Sequence, residues 1–172
     1  MYLILQEKIN EAIKELNSDK YISEVLSTSK FCHHGSDIIY YFEENDLIKE
    51  YANSKSRKNI ISKYIEDKLK SIKKELLEEL KEGKLYRSIL IEKIKKLKDD
   101  FGIFWSSNKN TAACVQNNND LNEYLLEINV NINQIDFVET IKSRLDVIHG
   151  EREFEIQLYK GSIVELDSFT LV

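Results

Sequence analysis

The chain is predicted to fold as α+β, with helices in its first half and strands in its second, packed as layers of one fold. Three observations carry this. Apolar residues recur at three- and four-residue spacing before Gly83, and the pattern shortens to strand-like runs after it. The chain has no proline and no low-complexity stretch, so nothing marks a tether between the two halves. Its 172 residues, 42% apolar and 32% charged, suit a globular chain with an ample core. The expected organisation is a helical segment over 1–82 and a mixed, β-rich region over 83–172, one domain overall.

In the first half, Leu5, Ile9, Ile13 and Leu16 repeat at helical intervals, as do Ile38, Ile39 and Phe42. A longer stripe runs through Ile60, Ile61, Tyr64, Ile65, Leu69, Ile72, Leu76 and Leu80. Three or four helices are expected. Ser36, and Ser54 or Ser56, are N-cap candidates, and Gly83 is the stop signal of the long helix.

After Gly83, KLYRSILI (84–91) reads as a strand, EKIKKLKDDFG as a helix closed by Gly102, IFWSS as a strand and NTAACV as a short helix. NNND is a loop, and EYLLEINV (123–130) is apolar enough to be a central strand. IDFVETIKSRL reads as a turn and helix; a glutamate-rich strand, a Lys160-Gly161 turn and a last strand, SIVELDSFTLV, complete the chain.

Net charge is −5, but it is unevenly spread. Residues 55–98 carry 15 basic and 7 acidic side chains, against 5 and 10 in 1–54 and 5 and 13 in 99–172. A basic stripe attracts nucleic acid or acidic protein, although lysines alternating with glutamates also form the wet face of an amphipathic helix. The short apolar run MYLILQ is neither a signal peptide nor a membrane span. The expected site of action is cytoplasmic, reached if necessary by an export route that reads no signal peptide. Two distant cysteines, Cys32 and Cys114, point to a reducing compartment. Cys32-His33-His34 does not make a metal site, because three consecutive residues do not converge on one ion in regular structure, and no metal is expected.

The segment GEREFEIQLYKGS (150–162) sets Glu151, Glu153 and Glu155 on alternate positions, with Phe154, Ile156 and Leu158 between them. Residues two apart on a strand share a face, so the glutamates repel one another unless water, a cation or a cationic ligand compensates. Two readings stand: a solvated strand face, or a cleft in which one carboxylate supports a developing positive charge and its neighbour handles a proton. Further upstream, LYR (85–87) places Arg87 in an apolar strand and FWSSN (104–108) places paired hydroxyls at the end of another.

This order resembles the ADP-ribosyltransferases of the arginine–serine–glutamate type, which include many bacterial toxins. In that family an aromatic-Arg strand, a Ser-Thr-Ser strand and a Glu-x-Glu strand meet in one NAD cleft. The likeness covers residues 84–172, about half of the chain, and implies a helical segment packed on a split β-sandwich. It implies NAD as the substrate that donates ADP-ribose, with Arg87 as pyrophosphate anchor, since a guanidinium offers forked donors to phosphate oxygens. Tyr86 and Ser88 flank that anchor as further NAD contacts. Glu155 would stabilise the oxocarbenium-like ribose left when nicotinamide departs, Ser106 would hold Glu155, and Glu153 would orient or deprotonate the acceptor.

The sequence departs from the family pattern at several points. The second and third positions of Ser-Thr-Ser are Ser107, which keeps a hydroxyl, and Asn108, which does not. The small residue after the arginine is Ser88, and Glu151 with Glu153 is an alternative register for the glutamate pair. The segment 131–145 is expected to border the cleft, with Arg144 near a phosphate or Phe137 over the nicotinamide. The resemblance implies a macromolecular acceptor, protein arginine or nucleic acid, a toxin or effector setting, and an inhibitory antitoxin or immunity protein as a further partner. The rival expectation is a non-catalytic module whose lysine-rich helix engages nucleic acid or acidic protein.

Overall fold

A computed structural model describes residues 2–27, 56–92, 101–112, 121–145 and 154–171. Helices α1 (Tyr2–Leu16), α2 (Asp19–Ser27) and α3 (Arg57–Glu79) precede β1 (Lys84–Glu92) and β2 (Phe104–Ser106). Then come the short helix α4 (Lys109–Ala112), β3 (Leu121–Asn129), a 3-10 turn (Ile132–Gln134), α5 (Phe137–Leu145), β4 (Glu155–Gln157) and β5 (Leu166–Leu171). The helices and strands thus make an α+β fold. Among the described residues the strands form one antiparallel sheet in the order β4-β2-β1-β3-β5. Ser36, Ser54, the 38–42 helix, the two cysteines, His33 and His34, and most of the expected 92–102 helix lie outside the described residues.

Helix formation follows the apolar spacing. In α1, Leu5, Ile9, Ala12 and Leu16 are buried at intervals of four, three and four, which is one face of a helix. In α3, 23 residues long, Ile60, Ile61, Tyr64, Ile65, Leu69, Ile72 and Leu76 are buried, while on its wet face Lys70 pairs with Glu66 and Asp67 and Lys58 reaches Asp19 of α2. Ser56 occupies the N-cap of α3, but its side chain makes no capping bond. Gly83 ends the segment with φ +67°, a conformation that favours glycine, and its carbonyl accepts the Val130 amide at 2.7 Å. That bond ties the entry of β1 to the exit of β3.

The core lies between the helices and one face of the sheet. Leu85, Trp105, Leu126, Ile128 and Ile156 project from the strands into the same cluster as the helical stripe residues Ile9, Ile61, Leu69, Leu76, Ile141 and Leu145. Residues of both halves therefore share one core. The strand β4 is only three residues long, and α5 shields its outer side: Asp136 N donates to Gln157 O at 2.8 Å and Gln157 N to Thr140 Oγ1 at 2.9 Å. Asp136 also caps α5 by accepting the Glu139 amide at 3.1 Å. The expected last strand begins at Leu166 rather than Ser162, after the turn at Gly161. No described helix is long and apolar enough to cross a membrane.

Candidate active site

The three motif-bearing strands are neighbours: β4 with the glutamate, β2 with the serines and β1 with Tyr86 and Arg87. Their register is specific. Ser106 pairs with Glu155 across β2 and β4, and Tyr86 pairs with Ser106 across β1 and β2. Directly opposed residues of antiparallel strands point to the same face with Cβ atoms about 5 Å apart, so Tyr86, Ser106 and Glu155 form a row on one face. The row continues to Glu127, the partner of Tyr86 on β3.

This face lies opposite the helical core. On it, the Ser88 hydroxyl donates to Glu123, and Lys84 pairs with Glu127. The hydrogen bond to Glu127, reinforced by the carboxylate's charge, raises the Lys84 pKa above its ordinary value. Ser106 is buried, and its hydroxyl is locked by the β2–α4 turn: Oγ donates to Asn108 O at 3.0 Å, accepts from Asn108 N at 3.1 Å and lies 3.0 Å from Thr111 Oγ1. The residue is thus held by its own following turn, which its position at a strand end makes possible.

Strand alternation sends Arg87 and Ser107 to the opposite face. Arg87 pairs with Leu126, a fully buried core residue, and its Nη1 donates to Phe104 O at 2.9 Å. The guanidinium rests on Gly102, where a Cβ would meet Nη1 at 2.7 Å; glycine, at φ +71°, leaves the room. Ser107 Oγ donates to Glu79 Oε2 at 2.6 Å, and its amide donates to Phe154 O at 3.0 Å. The structure therefore gathers Tyr86, Ser88, Ser106 and Glu155 and does not bring Arg87 or Ser107 into their row. Glu153 lies outside the described residues.

Two expectations about the 131–145 segment are corrected by packing. Phe137 is buried in the core rather than set over a ligand, and Arg144 is engaged by Glu79 in a two-toothed ion pair at 2.7 and 3.0 Å. Glu79 itself escaped the sequence reading. Its signal was present: it stands three residues after Leu76, on the stripe of Leu69 and Ile72, where a carboxylate is out of place unless paired. Among the described residues no group of His, Cys, Asp and Glu is arranged to hold a metal ion. No protein-family model, curated protein or solved structure matches this chain.

Proposed function

We propose that the Tyr86–Ser106–Glu155 face is the NAD site of a mono-ADP-ribosyltransferase. The observation that supports this reading most is the pairing of Ser106 with Glu155 on adjacent strands, with the tyrosine of the Tyr-Arg strand next in the row. A carboxylate, a fixed strand-end segment and an aromatic ring on one half-open face suit a ribose, its 2′-hydroxyl and a flat heterocycle.

In the reaction, the bond between ribose C1′ and the nicotinamide nitrogen breaks, and nicotinamide leaves with the bonding pair as a neutral molecule. Glu155, beside the sugar, balances the positive charge that develops on the ring. An acceptor nucleophile then bonds to C1′, and its proton passes to a carboxylate, the role assigned to Glu153. The acceptor is a macromolecule, a protein side chain or a nucleic acid, and a toxin or effector setting with a neutralising partner goes with the family likeness.

The test is nicotinamide release from NAD by the full chain and by Glu155→Gln. Loss of release by about 10²–10³ in the variant, with an unchanged melting temperature, is the expected outcome for a group that stabilises transition-state charge. Equal release by both proteins rejects the site.

One observation favours a second reading. Arg87 faces away from the row and is engaged by the Phe104 carbonyl, so the pyrophosphate anchor expected of the family is not on the same face as Glu155. A non-catalytic module that retains the strand arrangement, with the lysine-rich α3 as its binding face, accommodates that orientation. Binding to nucleic acid that weakens steeply with salt and is lost when Lys68, Lys70, Lys73 and Lys74 are neutralised is its signature.

A further inference from the structure

We propose that Glu79, Arg144 and Ser107 form a positioning clamp that holds the Phe154–Glu155 backbone from the helical side of the sheet and so aims the Glu155 side chain; its catalytic consequence rests on the transferase reading above. Arg144 Nη1 and Nη2 reach Glu79 Oε1 and Oε2 at 3.0 and 2.7 Å, and the two side chains are only 10% and 15% exposed. Glu79 Oε2 also takes the Ser107 hydroxyl at 2.6 Å. From this pair the network reaches β4 through two carbonyls. Phe154 O receives the Ser107 amide at 3.0 Å and lies 3.3 Å from Ser107 Oγ, while Glu155 O lies 3.4 Å from Arg144 Nη2.

Both carbonyls lie directly on the C-terminal side of a strained N–Cα bond. Phe154, with φ +49°, is the only non-glycine residue at positive φ among the described residues, and a bulky aromatic side chain disfavours that region. The φ and ψ of Phe154 set where the next Cα–Cβ bond points, so a clamp that fixes them also fixes the direction of Glu155. An ion pair present for stability alone has no need of these contacts: a desolvated pair of charges gives little net stability over apolar residues of similar volume. Among the described residues Arg144 Nε is buried without a hydrogen-bond partner, while Nη1 and Nη2 are both spent on Glu79. The clamp lies on the helical side of the sheet and reaches β4 through the Phe154 and Glu155 carbonyls, so its members are positioning residues.

The experiment has two arms, run on the full chain with Glu79→Gln and, as the milder variant, Ser107→Ala. In the first arm, amide hydrogen exchange followed by NMR reads the clamp without reference to catalysis. Glu79→Gln is expected to speed exchange of the Ser107 amide about tenfold or more while amides of the β1–β3 ladder keep their protection. In the second arm, nicotinamide release is expected to lose about ten- to a hundredfold in kcat with little change in KM for NAD, the pattern of a misaimed group rather than a lost contact. Unchanged exchange at Ser107 in both variants, or an equal rise throughout the sheet, overturns the clamp. Should the unaltered chain release no nicotinamide, the transferase reading falls, and the exchange arm alone decides the clamp: a local rise supports it, and no rise or a uniform one rejects it.

Discussion

Ser106 is the direct cross-strand partner of Glu155 on one side and of Tyr86 on the other. A single buried residue thus sits at the middle of the candidate site, and its hydroxyl is committed to the turn that follows it. Ser106→Ala removes the acceptor of the Asn108 amide and a partner of Thr111. The expected cost is about 1–2 kcal/mol of stability, together with a fall in nicotinamide release. Calorimetry and the release assay on one preparation check both.

Gly102 and Arg87 make a second pair whose coupling is measurable. A methyl group at residue 102 meets the guanidinium at 2.7 Å and adds backbone strain at φ +71°. Gly102→Ala is expected to destabilise by about 1–2 kcal/mol from the backbone alone, with a steric addition that vanishes in the Arg87→Ala background. A double-mutant cycle of urea unfolding isolates that addition. Strictly additive variants mean that the guanidinium, the far end of a flexible side chain, swings clear of the methyl group.

Alkaline pH tests the Lys84–Glu127 pair. The hydrogen bond to Glu127 raises the folded-state pKa of Lys84 above its ordinary 10.5, so the contribution is fully present below that value and fades as pH rises through the higher folded value. The difference in urea midpoint between the unaltered chain and Lys84→Met is expected to be constant from neutral pH to about pH 10 and to shrink above it. A difference that instead grows with alkalinity means the pair has been assigned the wrong sign.

The core face makes a prediction that contrasts with the sheet's outer edge. Leu126 is fully buried between β1 and β5, and Leu126→Ala is expected to cost about 2–5 kcal/mol. Phe169, its partner on β5, is 60% exposed, and Phe169→Ala is expected to cost about 1 kcal/mol or less, mainly through its ring contact with Tyr124. Thermal denaturation of the two variants separates the cases.

Helices α1, α3 and α5 and most strand positions were legible because hydrophobic periodicity is a local property: the stripe of α3, the stop at Gly83 and the runs of β1 and β3 can be read from neighbouring residues. The pleat phase was not. Tyr86 and Arg87 are adjacent in sequence, as are Ser106 and Ser107, and which member of each pair faces Glu155 depends on inter-strand register, where a shift of one residue exchanges the faces. That the members of each pair face opposite sides follows from strand alternation, but which of them shares the face of Glu155 lay beyond local pattern. Glu79 was obscured differently, by a helix so rich in Lys and Glu that one carboxylate on the apolar stripe did not stand out. The length of β4 was also unreadable, because Glu155 to Gln157 owe their pairing to β2 and α5, which are distant in sequence.

The carboxylate that completes the buried ion pair comes from the last turn of α3, while the guanidinium and the strand it braces come from the other half of the chain. A recombinant fragment starting at Gly83 would lose the carboxylate that pairs with Arg144 and leave α5, among the described helices, as the main cover of Leu85, Leu126 and Ile156. Helices α1 and α3 thus belong to the core that the strands complete, and grafting the strand region onto another carrier would have to supply an acidic group at the same spot.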